Sequence, residues 1–168
     1  MTTLILTVAG SDRPGLVAAV ADVVDAHGGN WENSQLAELA GVFAGVIQVS
    51  VTSERQDELT SALQALDGLL TVAVHAGSDA ASAAAQPISL QILGNDRPGI
   101  VREVSGVLQA HGVSIETIDT ETKDAAMAGG RLFEASVTAE VPASADLDVL
   151  RSDLERLTSE LQVDITLT

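Results

Sequence analysis

The sequence predicts an α+β protein made of two βαββαβ units, each a four-stranded antiparallel sheet with two helices on one face. Three observations carry this expectation. The octapeptide GSDRPGLV at residues 10–17 returns at residues 94–101 as GNDRPGIV, identical at six of eight positions, and Asp12 and Asp96 stand 84 residues apart. The same offset relates His27-Gly28 to His111-Gly112, and Glu32 to Glu116. Each octapeptide follows an alternating apolar run and precedes a helical pattern, so each reads as a strand-to-helix turn in a duplicated unit.

The elements follow in order. Leu4, Leu6 and Val8 alternate with Thr3, Ile5 and Thr7, the period of a strand with one better-buried face. Ile88, Leu90 and Ile92 repeat it, alternating with Ser89, Gln91 and Leu93, and the more polar alternate face predicts a sheet side that is open or covered by another sheet. After the turn, Leu16, Val17, Val20, Val23 and Val24 fall on one helical face, matched by Ile100, Val101, Val104, Val107 and Leu108. Pro14 and Pro98 suit a first helical position, and Asp12 and Asp96 ahead of them suit capping of the free N–H groups. The His-Gly pairs read as helix ends: glycine permits a left-handed turn, and a cationic His suits the negative end of the helix.

Residues 30–39 and 42–51 read as strands around a tight turn at Ala40-Gly41, and residues 114–122 and 131–140 repeat the pair. The second hairpin is six residues longer. Its extra length lies in 123–130, KDAAMAGG, a small-residue loop expected to be mobile. Second helices are predicted over 54–66 and 144–161. In the later one Leu147, Leu150, Leu154, Leu157 and Leu161 form a narrow seam, which fits a helix lying on a sheet or, alternatively, a coiled-coil contact. Short strands at 70–76 and 163–167 close the units, and 77–86, GSDAASAAAQ, has linker composition. Domains are therefore expected at 1–76 and 87–168. The right-handed crossover rule puts both helices of each unit on one sheet face, a ferredoxin-like arrangement.

Composition narrows the function. Aromatic residues make up 2% of the chain, so the cores must be Val, Leu, Ile and Ala. Without cysteine there are no disulfides, thiolate zinc sites or cysteine nucleophiles. No apolar run reaches the roughly 18–20 residues of a spanning helix, and no signal-peptide pattern opens the sequence; a cytoplasmic location is expected. The net charge is −16 and Lys123 is the single lysine. Nucleic acids and anionic membranes are engaged largely through Lys and Arg, so neither is an expected partner.

The turn itself has ligand-binding chemistry. A helix N-terminus presents unpaired N–H groups and about half a positive charge, which suits a carboxylate. Gly15 and Gly99 allow close approach to the backbone. Asp12 and Asp96 can accept from an ammonium group where they are not used as caps. That donor–acceptor pairing suits a free α-amino acid; the competing reading is a well-capped turn with no ligand. Arg13 and Arg97 suit anion binding or surface salt bridges. His27, His75 and His111 are too scattered for a metal motif, and Trp31 reads as a packing or interface residue. Glu116, Asp119, Glu121 and Asp124 suit either an oxygen-ligand cation site or a charged edge strand that resists aggregation.

The pattern strand–DRPG–hydrophobic helix–His-Gly–x–Asn/Ser–strand, present twice, resembles the ACT domain, a small amino-acid-binding regulatory module. Two such modules with no catalytic or helix-turn-helix segment resemble the glycine cleavage system transcriptional repressor family. The resemblance implies a ligand at an interface between two modules, held by the loop after the first strand and by a polar residue opening the second. Carried over, the site residues are Gly10, Ser11, Asp12, Gly15, Leu16 and Asn30 in the first unit. In the second they are Gly94, Asn95, Asp96, Gly99, Ile100 and Ser114. Ser114 lacks the amide of Asn30, so two unequal sites are expected, with the Asn30 half the better candidate.

These readings together predict a non-enzymatic regulator, without cofactor or metal, that binds a small amino acid (glycine or serine first) and acts on a protein partner as a homodimer. The alternative is a structural interaction module with no metabolite ligand.

Overall fold

In the computed structural model, which describes residues 1–78, 85–125 and 129–168, the alternating runs become central strands. The first unit comprises β1 (Thr2–Ser11), α1 (Leu16–Ala26), β2 (Asn30–Leu39), β3 (Val42–Val51), α2 (Gln56–Gln64) and β4 (Thr71–Ala76). A short 3-10 turn, Ser53–Arg55, leads into α2. The second unit comprises β5 (Gln86–Asn95), α3 (Ile100–Ala110), β6 (Ser114–Asp124), β7 (Arg131–Val141), α4 (Leu147–Leu161) and β8 (Val163–Leu167). Strand order is β2-β3-β1-β4 and β6-β7-β5-β8, and every pairing is antiparallel. The chain divides into two compact units, Met1–Ala80 and Ala81–Thr168.

Each core lies between one sheet face and two helices. In the first, Leu4, Leu6 and Val8 meet Leu16, Val20 and Val24 of α1 and Leu59 and Leu63 of α2. In the second, Leu90 packs among α3 and α4 residues, and Leu150, Leu154, Leu157 and Leu161 are all buried there. The leucine seam is thus the underside of a helix on a sheet. Trp31 packs against the first core, opposite Val49.

Edge strands β2 and β6 carry a bulge at the same place. Pairing skips between Trp31 and Asn33, and between Ile115 and Thr117. The extra residues are Glu32 and Glu116, which explains their recurrence: a bulged residue stands outside the ladder, where a carboxylate is readily solvated. Glu32 accepts a hydrogen bond from Gln48 Nε2 at 3.0 Å.

Several element boundaries differ from expectation. Helix α2 begins at Gln56 and ends at Gln64, because residues 65–70 form turns with bonds such as Leu69 N–H to the Leu66 carbonyl. Helix α4 begins at Leu147, where Asp146 caps it. Strand β6 runs to Asp124, two residues beyond the expected end, which draws it into the region read as loop; residues 126–128 of that loop lie outside the described residues. Of the expected linker, 79–84 lie outside them as well. Gly77 N–H bonds to the Thr3 carbonyl at 2.9 Å, and Gln86 already pairs with Val141.

Two glycines make opposite predictions. A Cβ at Gly45 would collide with the Gln35 carbonyl on β2, whereas nothing lies within 4 Å of one at Gly106 in α3. Gly45→Ala therefore loses about 1–3 kcal/mol in urea denaturation, since backbone must move. Gly106→Ala gains about 0.5–1 kcal/mol in the same measurement, because alanine lowers the entropy of the unfolded chain and favours helix.

Candidate functional site

The DRPG segments set how each helix begins, and they differ from the sequence expectation. Helices α1 and α3 start at Leu16 and Ile100, two residues beyond the prolines, and the capping residues are Gly15 (φ 93, ψ 0) and Gly99 (φ 99, ψ −7). Those torsions fit the third position of a type II turn, with proline at the second. Neither Asp12 nor Asp96 caps its helix by a side-chain hydrogen bond, which corrects the expected capping role. The physical reason is the glycine. Starting the helix at Pro14 would place Gly15 inside it, at a cost of about 0.5–1 kcal/mol, whereas the left-handed region is open to glycine without penalty.

The aspartates instead finish the strands. Asp12 N–H donates to the Gly41 carbonyl at 2.9 Å, and Asp96 N–H to the Arg131 carbonyl at 2.8 Å. Their side chains are exposed. Behind them, Ala19 and Glu103 make the first helical bonds, to Gly15 and Gly99 carbonyls, each at 2.9 Å. The N–H groups of Val17 and Ala18, and of Val101 and Arg102, have no backbone or side-chain acceptor among the described residues. An exposed carboxylate thus stands beside exposed helix-start donors in both units.

The turns differ in what Arg does. Arg13 Nη2 donates to the Gly68 carbonyl at 3.1 Å and ties the turn to the α2–β4 connection. Between them lies a groove of about 410 Å³ whose lining includes Gly10, Ser11, Arg13, Asp67 and Thr71. Arg97 reaches Glu103 instead, Nη2 to Oε2 at 3.7 Å.

Sequence-predicted residues separate into three places. Gly10, Ser11, Asp12 and Gly15 cluster at the first turn, as Gly94, Asn95, Asp96 and Gly99 do at the second. Leu16 and Ile100, 3% and 2% exposed, have side chains committed to the cores. Asn30 and Ser114 lie elsewhere. Asn30 pairs with Ser50, which pairs with Thr3, whereas Ser11 pairs with Val42 at the far end of β1. Ser114 pairs with Glu140 and so reaches Pro87, eight residues from Asn95. At about 3.4 Å per residue, about 27 Å separates the two parts of the predicted site within a unit.

The remaining polar residues serve structure. His27 Nδ1 lies 2.8 Å from the Val23 carbonyl, and Gly28 and Gly112 take the left-handed turn expected after each helix. His111 Nε2 lies 2.8 Å from Asp153 Oδ2 on α4. Glu121 and Glu134 face each other across β6 and β7, a repulsive arrangement. Lys123 Nζ bridges them at 3.0 and 2.9 Å, and hydrogen bonding to Glu134, then to Glu121, raises its pKa above the ordinary 10.5. The sole lysine is thereby accounted for, along with part of the acidic cluster. Among the described residues no three His, Asp or Glu side chains converge as metal ligands, and no helix is long and apolar enough to cross a membrane.

The doubled turn, the helix-ending His-Gly pairs and the two sheets coincide with matches to ACT domain models over residues 2–76 and 88–157. The chain belongs to the ACT domain family. Its two ACT domains lie in tandem. Over 162 residues it is 27% identical to the glycine cleavage system transcriptional repressor of Escherichia coli, spanning 94% of this chain and 85% of that one. The repressor of Shigella flexneri matches equally. A solved structure of an unknown protein from Galdieria sulphuraria superposes with a TM-score of 0.89 at 30% identity, covering 99% of this chain and 96% of that one. Two ACT domains and homology to a repressor mark a regulatory protein rather than an enzyme, with an amino-acid-sensing role.

The capping geometry makes a direct prediction. Asp146 Oδ1 accepts from the N–H groups of Asp148 and Val149 at 2.9 and 3.3 Å, so Asp146→Ala loses about 1 kcal/mol in urea unfolding. Asp12→Ala and Asp96→Ala stay within about 0.5 kcal/mol of the parent, as exposed side chains without partners do.

Proposed function

We propose that the chain is a cytoplasmic, amino-acid-responsive regulator that binds a small amino acid, glycine or serine first, at the DRPG turns. One observation carries this reading: neither Asp12 nor Asp96 is consumed as a cap. Each carboxylate is left available for an ammonium group, beside helix-start N–H groups available for a carboxylate. Donors and an acceptor at one turn suit a ligand that carries both charges, as an α-amino acid does. Gly10, Ser11, Asp12, Gly15 and Leu16 would supply one part of the first site, with Gly94, Asn95, Asp96, Gly99 and Ile100 their counterparts in the second.

The separation of Asn30 and Ser114 from the turns supports a site completed by another ACT module, most simply one from a second copy of the chain in a homodimer. A ligand bridging modules favours one packing over another through its differential affinity, and so alters binding of a protein partner. The charge of −16 favours a regulatory route through such a partner, in transcription, without direct nucleic-acid contact.

Thermal melting with the common amino acids tests the proposal. A ligand at 100 times its dissociation constant stabilises by about 2.7 kcal/mol, which for a domain of this size raises Tm by about 10 °C or more. Asp12→Ala is expected to abolish that shift for the first site while leaving the unliganded Tm unchanged. A melt indifferent to every amino acid at millimolar concentration would instead support a purely structural interaction module.

A further inference from the structure

Each sheet ends in two edge strands, and folded proteins keep such edges from pairing with other chains by charge, bulges or proline. β2 follows that rule with Glu32, Glu38 and its bulge, β6 with Glu116, Asp119, Glu121, Asp124 and its bulge, and β8 with Asp164. β4 departs from it. Its sequence, Thr71-Val72-Ala73-Val74-His75-Ala76, contains no Asp, Glu, Lys, Arg or Pro, and its pairing with β1 runs without a bulge.

The ladder fixes where the backbone groups of β4 point. Gly77 N–H bonds to the Thr3 carbonyl, and bonded pairs alternate with non-bonded pairs along an antiparallel ladder. Thr71, Ala73 and His75 therefore direct N–H and C=O toward β1, while Val72, Val74 and Ala76 turn theirs to the open side. Among the described residues no second strand pairs with β4. The side chains alternate with the same period. Val72 and Val74 are half-buried and pack against the first core, whereas Thr71, Ala73 and His75 lie exposed on the other face.

We infer that β4 is a self-pairing edge: it joins β4 of a second copy of the chain, antiparallel, about a twofold axis at Ala73. This register sets Val72 of each copy opposite Val74 of the other, so the outward N–H and C=O groups of both valines bond across the axis. The valines meet on the core side, where β-branched pairs stabilise a sheet. A slip of one residue would set each valine opposite a residue of the exposed face. Ala73, its backbone committed to β1, meets its own copy as a non-bonded pair with Cα atoms about 4.5 Å apart, a spacing that a methyl group fits. A second copy is the occupant because the pattern Val-Ala-Val is symmetric about Ala73, as an isologous contact requires. With a net charge of −16, copies meeting at β2, β6 or β8 would also bring carboxylates together, and β4 brings none. The contact stands apart from the amino-acid site proposed above, since Asn30 lies on β2 at the opposite edge of the sheet, which stays free.

Sedimentation equilibrium of the full chain, without amino acids, tests the inference. The parent is expected at twice the 17.2 kDa of one chain. Ala73→Glu and Ala73→Lys, which put like charges face to face on the axis, are each expected to halve that mass with the circular dichroism melt preserved. Mixing the two variants restores it, because Glu then faces Lys. In the parent, amide exchange at Val72 and Val74 slows as the chain is concentrated. A monomeric parent, variants that keep the parent's mass, a mixture that stays dissociated, or valine amides indifferent to concentration would overturn the inference. Each of those results leaves the amino-acid-sensing reading standing.

Discussion

A single left-handed glycine governs the geometry of each unit. β1 ends at Ser11 and α1 must run back over the same sheet, so the chain reverses within residues 12–15. The reversal requires φ near +90 at Gly15 and Gly99, a region that costs an L side chain about 1–2 kcal/mol. That torsion aims the first helical residue into the core, and residues four apart follow it: Leu16, Val20 and Val24 in one unit, Ile100, Val104 and Leu108 in the other. The glycine torsion thereby fixes where the helix starts, without satisfying N–H groups as the Asp146 side chain does for α4. The exposed aspartates are a consequence of this turn, and so are the uncovered N–H groups beside them.

Much of the fold was legible because it repeats and because burial is one-sided. Period-two alternation located β1 and β5, and the valines and leucines located α1 and α3, since those patterns follow directly from which face meets the core. The capping assignment failed for a physical reason. Asp followed by proline satisfies local preferences for a capped helix, and only the torsion of the next glycine decides against it. The bulges at Glu32 and Glu116 were visible only as a recurrence, because a register skip leaves no mark in composition. Separation of Asn30 from the turn likewise depends on strand pairing, which places Asn30 opposite Ser50 and Ser11 opposite Val42.

Register also exposes an electrostatic difference between the sheets. On the face of the first sheet turned away from its helices, Thr3, Ile5 and Thr7 neighbour Gln48, Val46 and Ala73, and the acid reaching it is Glu32 at the bulge. The corresponding face of the second sheet carries Asp119, Glu121, Glu134, Glu140 and Asp164, of which Lys123 pairs with Glu121 and Glu134. The first face therefore repels an approaching anionic surface less than the second does.

The distance between turn and Asn30 bears on how such a protein can signal. A ligand held wholly within one unit would rigidify a loop and change little else. A ligand whose donors come from one module and whose amide partner comes from another, about 27 Å away along its own sheet, binds only one arrangement of the two and so reports its concentration as a shift in packing. A response steeper than a simple binding curve must come from coupling between sites, because reciprocal linkage requires two distinct ligand sites within the same assembly.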